Sequence, residues 1–377
     1  MQRVDLVVDT PIDWSVRTRQ VASMFDLKHG CAKEAWRFDV EFPEEWSIGL
    51  IVGPSGSGKS TVANELFGDC FVDPKWPTDG TVIDGFDAAM PIKEVCGHLS
   101  RVGFSSPPSW MKPYRVLSNG QKFRADLART VAAKKPIVAM DEFTSVVDRT
   151  VAQIGSAAVS KAIRRSGKRF VAVGCHYDVI EWLQPDWVLH MPSGQLDRRS
   201  VQRWPEIALK VQRVHRSAWD LFRRDHYLDH SINPSAQCFV ASMNGRPVAF
   251  ASVLSLPHAV RPQWREHRTV CLPDFQGVGI GNRLSGLIAS AFAATGKPYS
   301  SVTSHPAMIG YRAASSLWNM RRKPSRNVSR ARKNRLKYSN AVATWSSSST
   351  RLTASFEYVG PVNSEAAKAF GLKMYRR

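Results

Sequence analysis

Two α/β domains in tandem are predicted, on three observations. At 377 residues the chain exceeds one ordinary domain and is comfortable for two, each able to bury its own core. Two glycine-rich loops, Gly53-Pro54-Ser55-Gly56-Ser57-Gly58-Lys59-Ser60 and Gln276-Gly277-Val278-Gly279-Ile280-Gly281, each follow an apolar run and precede a helical periodicity, one in each half. Charge divides the same way: 25 Lys+Arg face 24 Asp+Glu in residues 1–200, but 27 face 8 in residues 201–377, leaving +1 and +19. Domains are therefore expected at 1–200 and 201–377, both mixing helix and strand.

Bulk composition removes several classes. Hydrophobic residues at 43% and aromatics at 10% describe a folded chain, not a disordered one. The six cysteines are scattered, with no Cys-x-x-Cys pair and no zinc-like grouping with histidine, which fits reduced thiols in a cytoplasm. No basic cap and apolar run opens the sequence, so no signal peptide is expected. Val248 to Leu256 and Leu284 to Ala294 are far too short to span a bilayer. A +19 half attracts polyanions, nucleic acid foremost and anionic lipid next; solubility and a CoA-binding surface are the plainer alternatives.

In the first half, Ser47 to Val52 reads as a strand, the loop follows, and Lys59 to Phe67 has helical spacing with Gly68 placed as a C-cap. Glycines let successive backbone N–H groups converge on phosphate oxygens, and the helix adds its positive end. Lys59 would reach the β and γ phosphates, the Ser60 hydroxyl would coordinate Mg²⁺, and Thr61 completes the nucleotide loop. Pro136 to Met140 is a second strand. It delivers Asp141 and Glu142 to the C-terminal end, where parallel sheets bind ligands: Asp141 for the Mg²⁺ shell, Glu142 to polarise the attacking water. An acidic pair capping a strand is the bland reading of the same residues. Phe170 to Gly174, a third strand, ends at Cys175-His176, which places His176 to hydrogen-bond the γ-phosphate and sense its loss.

Over residues 1 to 200 these motifs resemble the ABC ATPase family. Leu117-Ser118-Asn119-Gly120-Gln121 is similar to its signature motif with Asn119 in place of a glycine, ahead of a helix from Lys122 to Ala133, and Ser145-Val146-Val147-Asp148 is similar to its D-loop. The resemblance implies ATP, Mg²⁺ and a head-to-tail homodimer formed on ATP. In that dimer Ser118, Gly120 and Gln121 of one subunit close over the phosphates held by Lys59 of the other. Two departures stand out. No glutamine occurs between Lys59 and Gln121, and Ser105 and Ser106 occupy the stretch where the family's Q-loop glutamine belongs. The interval from Lys59 to Ser118 is also short, which suits a soluble mechanochemical ATPase better than a transporter subunit. Phe25 and Trp36 are the candidates for stacking adenine.

Residues 192 to 205 read as a junction. Beyond it the order is a helix at Ile207 to Leu221, strands Gln237 to Met243 and Pro247 to Leu254 around the hairpin signal Asn244-Gly245, and a strand at Thr269 to Leu272. The second glycine loop leads into a helix from Asn282 to Ala294, a strand at Tyr299 to Thr303, a helix at Ala307 to Trp318, and closing strands at Tyr338 to Thr344 and Leu352 to Tyr358. A dinucleotide fold would need a carboxylate about twenty residues after its glycines, and Thr295 to Thr303 contains no acid.

From 205 to 360 this order resembles the GNAT acetyltransferase fold. The resemblance implies acetyl-CoA, its pyrophosphate gripped by the backbone of Gln276, Gly277, Val278, Gly279, Ile280 and Gly281. It also implies an acid to protonate the leaving thiolate: Tyr311 is the nearest match, and His305 stands where the usual asparagine is absent. Glu266 or His267 could serve as base. His226 and His230 lie four apart as a helical metal pair would, but with no third ligand they read as surface. Arg321 to Lys337 carries nine basic residues and no acid, a segment suited to phosphates. The expected protein is an ABC-type ATPase fused to an N-acetyltransferase acting on nucleic acid or a nucleic-acid-bound amine. The alternatives are a nucleic-acid ATPase whose second half is a non-catalytic clamp, and a transporter ATPase subunit.

Overall fold

The computed structural model describes residues 2–25, 32–72, 75–198, 207–226, 230–257, 261–326 and 352–374. They form two compact units, Met1–Lys75 with Arg129–Pro205, and Trp76–Ala128 with Glu206–Arg377.

The first unit holds a ribbon of β1 (Gln2–Thr10) and β2 (Ala32–Val40) and a sheet of β3 (Ile48–Val52), β4 (Ile137–Met140), β5 (Arg169–Gly174), β6 (Trp187–His190) and β7 (Gln195–Arg198). Its order is β4-β5-β3-β6-β7, parallel throughout except for β7. All five residues of β3 are buried, as expected of a parallel strand covered on both faces, whose sequence runs apolar without alternation. Gly49 interrupts that run because a Cβ there would lie 2.0 Å from the Trp187 ring. That indole stacks on Phe67 at 5.9 Å and anchors the core. The helix Lys59–Phe67 has the predicted bounds, but Gly68 does not cap it in a left-handed turn: its φ is −50° and the chain continues as a tighter turn to Cys70. Asp148 of the D-loop-like stretch is the N-cap of the long helix Arg149–Ser166, its carboxylate accepting from Thr150 N at 2.9 Å and Val151 N at 3.1 Å.

The second unit is built on β8 (Lys210–Val214), β9 (Gln237–Met243), β10 (Arg246–Leu256), β11 (Gln263–Cys271), β12 (Tyr299–Thr303), β13 (Trp318–Arg326) and β14 (Leu352–Tyr358), in the order β13-β14-β12-β11-β10-β9-β8. Asn244 and Gly245 turn the β9–β10 hairpin with φ of 50° and 78°, the conformation their sequence announces. The parallel pair β11–β12 joins at Trp264↔Tyr299 and Arg265↔Ser300, where its ladder ends. The two strands therefore part toward their C-terminal ends. On β11 the register jumps from Arg268 to Glu266, so His267 is a bulge. Behind this split packs the helix Ile280–Ala293, with Phe292 against Phe239 at 5.8 Å and Trp264 at 5.0 Å.

Two sequence expectations are corrected here. The predicted helix at Ile207 to Leu221 is instead β8 followed by a short 3₁₀ turn, because Val211 and Val214 also suit a strand and the edge of β9 is there to pair with. The helix predicted to Trp318 ends at Ala314, and Trp318 begins β13. Arg321 to Arg326 lie in that strand, where Arg321 donates to Glu357 at 2.7 Å, so the start of the basic run is structured. The rest of the run, 327–337, and the predicted strand Tyr338 to Thr344 lie outside the described residues.

The segment 76–128 contributes the helices Ile92–Arg101, Pro107–Trp110 and the start of Asn119–Ala132. Among the described residues no helix is long and apolar enough to cross a membrane.

Candidate functional site

In the first unit, three loops leave the same edge of one sheet. β5 lies between β3 and β4, with Val52 opposite Gly174 and Met140 opposite Ala172, so the glycine loop, Cys175-His176 and Asp141-Glu142 emerge side by side. Gly56 and Gly58 sit at φ of 78° and 80°, which only glycine adopts without strain. A Cβ on Gly56 would meet open space, whereas one on Gly58 would lie 2.2 Å from Trp36. Trp36 is thus a buried support for the loop at 7% exposure, not a free stacking surface, and Phe25 is 68% exposed.

The buried Ser57 hydroxyl has no hydrogen-bond partner, and Lys59 Nζ donates to Pro54 O at 2.6 Å. An orphaned donor inside a cradle of N–H groups fits a phosphate, which would also draw the lysine off its own loop. The Asp141 carboxylate accepts from Glu142 N at 2.8 Å. Glu142 and Thr144 both have positive φ, 52° and 69°, and Phe143 N is tied to Val173 O at 2.8 Å, so the acidic pair is held in a strained turn. The strand order places these residues along one sheet edge, with Ser60 and Thr61 opening the helix Lys59–Phe67 and His176 half-buried.

Ser118, Gly120 and Gln121 lie in the other unit. There Ser118 Oγ accepts from Gln121 N at 3.4 Å while Gln121 Oε1 accepts from Ser118 N at 3.2 Å. This reciprocal box starts the helix at Asn119, three residues before the predicted Lys122.

The second unit holds a cavity of about 220 Å³ where β11 and β12 part. Its wall includes Gln276, Gly277, Gly279, Ile280 and Gly281, but not Val278. Gly277 and Gly279 have φ of 93° and 100°, opening the helix Ile280–Ala293, whose first residues line the cavity. The side-chain oxygen of Asn282, also on the wall, is buried with no partner. A glycine cradle beside an unsatisfied amide fits a diphosphate with a polar arm.

His305 lies on the wall and Tyr311 does not; Tyr311 is 39% exposed on the same helix. The His305 ring donates from Nε2 to Ser105 O at 3.2 Å, since a carbonyl can only accept, which leaves Nδ1 as its acceptor nitrogen. Burial pulls His305 below the usual histidine range, more than the Ser105 bond raises it. Glu266, inside β11, is neither a surface group nor a free base. Its carboxylate accepts from Thr269 Oγ1 at 2.7 Å, Ser285 Oγ at 2.7 Å, Arg312 Nη2 at 2.8 Å, and Ser301 Oγ. Burial alone would push this carboxyl up, but Arg312 and the three hydroxyls together hold it below its ordinary range. His267 accepts from Asn233 N through Nε2 at 3.2 Å. Cys271 is a protonated wall: burial pushes its thiol up to about 12.

Sequence reasoning missed Asp225, at the cavity's exposed rim. Burial, then the negative charge of Asp274, pushes its carboxyl up, which makes it a better proton acceptor. His226, expected on the surface, is 7% exposed, lines the cavity and stands edge-on to Trp219 at 5.4 Å; His230 is exposed. Among the described residues no group of three or more histidines, cysteines and carboxylates is placed to hold a metal.

Comparison with known proteins covers both units. Residues 198–306 match the model of the acetyltransferase (GNAT) family. Over 84 residues the chain is 39% identical to the cytochrome c biogenesis ATP-binding export protein of Rhodospirillum rubrum, covering 22% of this chain and 35% of that one. Over 189 residues it is 25% identical to the taurine import ATP-binding protein of Pseudomonas fluorescens, covering 40% of this chain and 69% of the relative. Among solved structures, a dimeric ATP-binding cassette in a post-hydrolysis state bound to ADP and Pi aligns over 52% of this chain and all of that one, with a TM-score of 0.37 and 17% identity.

Proposed function

We propose that this chain, which joins an ABC-type P-loop ATPase fold to a GNAT-like domain with a division near residue 200, is an ATP-hydrolysing N-acyltransferase that acts on an amine in or on nucleic acid. The observation that carries this is the cavity at the parting of β11 and β12, walled by Gln276, Gly277, Gly279, Ile280 and Gly281. ATP would be held by Gly53 to Thr61, with Ser60 and Asp141 for Mg²⁺, and two copies would pair on it through Ser118 and Gly120. Bound acetyl-CoA supplies an acyl group activated as a thioester.

The protein's own residues do the remainder. Glycines at 277, 279 and 281 let backbone N–H groups approach a diphosphate. Asp225, pushed up at the rim, takes the proton from an incoming ammonium. Cys271 keeps its proton, which favours direct transfer to the amine over relay through an enzyme thioester.

Calorimetry of the full chain with acetyl-CoA tests the acyltransferase reading: saturable heat is expected, and a folded protein that gives none would overturn it. The +19 charge of residues 201–377 supports the nucleic-acid target. Binding to a short DNA duplex or a single-stranded RNA should weaken by about tenfold or more between 50 and 200 mM salt, following counterion release. Affinity that ignores salt would remove the basic half from the argument.

A transporter ATP-binding subunit is the second reading, favoured by the export and import roles of the two relatives. Against it, Ser105 stands where a Q-loop glutamine belongs, and its backbone is engaged by Gln276 and His305 of the same chain. Nucleotide binding without any acetyl-CoA heat would leave the transporter reading ahead.

A further inference from the structure

The mouth of the acyl-carrier cavity is closed on one side by residues of the segment that carries the signature-like motif. Ser105 is gripped at both ends of its backbone: its N–H donates to Gln276 Oε1 at 2.9 Å, and its carbonyl accepts from His305 Nε2 at 3.2 Å. Gln276 follows β11 and His305 follows β12, so this one residue bridges the two loops that flank the split. Gln276 Nε2 in turn donates to Cys271 O at 2.8 Å, fixing the amide in place. Two residues earlier, Gly103 passes so near the cradle that a Cβ would lie 2.4 Å from Gln276 O. Its φ of 88° demands glycine independently. Ser100 and Ser105 both line the cavity.

Contacts continue from Ser105 back to the signature. Phe104 O accepts from Trp110 Nε1 at 2.8 Å, and Ser109 Oγ, on the same short helix, accepts from Gln121 Nε2 at 3.3 Å. Gln121 is one half of the box that caps the helix at Ser118. From that helix, Arg124, 1% exposed, donates to Asp274 O at 3.0 Å and pairs with Asp274 Oδ1 at 3.4 Å. Asp274 lies two residues ahead of Gln276. Two routes thus run from the signature box to the same cradle, one through Ser109 and Ser105 and one through Arg124. Successive members are hydrogen-bonded, adjacent along the chain, or on one helix.

We propose that segment 103–124 positions the acyl-carrier cradle, so that nucleotide engagement at Ser118 and Gly120 and acyl-carrier binding at Gln276 to Gly281 are thermodynamically linked. This rests on the function proposed above and adds its regulation. A ligand that draws the Gln121 amide out of its box also withdraws the donor to Ser109, and the shift reaches Ser105 at the cavity mouth. Linkage is reciprocal, so acetyl-CoA must change nucleotide affinity by the same factor. A contiguous network alone does not establish coupling, and a measured interaction does.

The test uses the full chain, with acetyl-CoA and a non-hydrolysable ATP analogue with Mg²⁺ titrated separately and together. In the native protein the Kd of each ligand should change by about fivefold or more when the other is saturating, with the two factors equal. Arg124→Met should bring both factors within about twofold of one while each ligand still binds, an outcome that a merely structural arginine would not give. Should that variant fail to fold, Ser109→Ala removes only the hydroxyl that receives Gln121 and should lower the factor in the same direction. Native protein that binds both ligands, each indifferent to the other, would overturn the linkage and leave the acyltransferase reading standing. Native protein that binds no acetyl-CoA would overturn both.

Discussion

Glu142→Gln is expected to reduce ATP turnover by about 10²- to 10⁴-fold, the range for loss of a positioned general base, while leaving nucleotide binding intact. Glutamine keeps the length and shape of the side chain and loses only the charge that polarises water. The backbone that aims it does not depend on that charge: Glu142 is held at φ 52° by the tie from Phe143 N to Val173 O and by buried Thr144 at φ 69°. With MgATP bound and not consumed, two chains should remain paired, and gel filtration in saturating MgATP should show a dimer. A monomer under those conditions counts against head-to-tail pairing through Ser118 and Gly120. Lys59→Ala supplies the contrast. Its ammonium, bonded to Pro54 O at 2.6 Å, is the one basic side chain within residues 53–61, and its loss should abolish binding itself.

What the sequence made legible follows from how local each signal is. Glycine loops, apolar strands and the Asn244-Gly245 turn depend on residues within a few positions, and β9, β12 and the helix Lys59–Phe67 lie at their predicted bounds. β8 was misread because five residues of an edge strand carry too little periodicity to separate a period of 2 from one of 3.6, and its partner β9 is over twenty residues away. The residues expected to hold ATP could be placed together because they follow strand ends and the strands are contiguous runs. Around the cavity, legibility failed for a different reason. Glu266 reads as a possible base because nothing nearby in sequence reveals Arg312, 46 residues on, and the tie of the Gln276 side chain to Ser105, 171 residues back, leaves no local trace. Arg124 reads as one more polar residue on an amphipathic helix until its 1% exposure is known. Long-range pairs of buried polar groups leave no periodic trace.

Arg312→Met is expected to destabilise the second unit by about 3–5 kcal/mol, the range for removing one member of a buried ion pair. Both side chains are inside, Arg312 at 1% and Glu266 at 7% exposure, with 2.8 Å between Nη2 and Oε2. Methionine fills much of the volume, so the loss is electrostatic more than a matter of packing, apart from the stacking of the guanidinium on Trp318 at 4.3 Å. The pH dependence fixes the cause. In the native protein Glu266 is held below its ordinary range, so its contribution is fully present above the unfolded carboxylate range and disappears as pH falls through the lower folded value. Without Arg312, burial dominates and the carboxyl moves above that range, so the variant gains stability as pH falls from 7.5 toward 5. Urea unfolding at both pH values should therefore show a smaller deficit at pH 5. Glu266→Gln in the same chain should recover a large part of the loss, because a neutral amide can stay bonded to Ser285, Ser301 and Thr269 without a counter-charge. A single-variant cost below about 1 kcal/mol, or a deficit equal at the two pH values, would mean that the pair is not holding β11, β12 and the helix Pro306–Ala314 around the cavity.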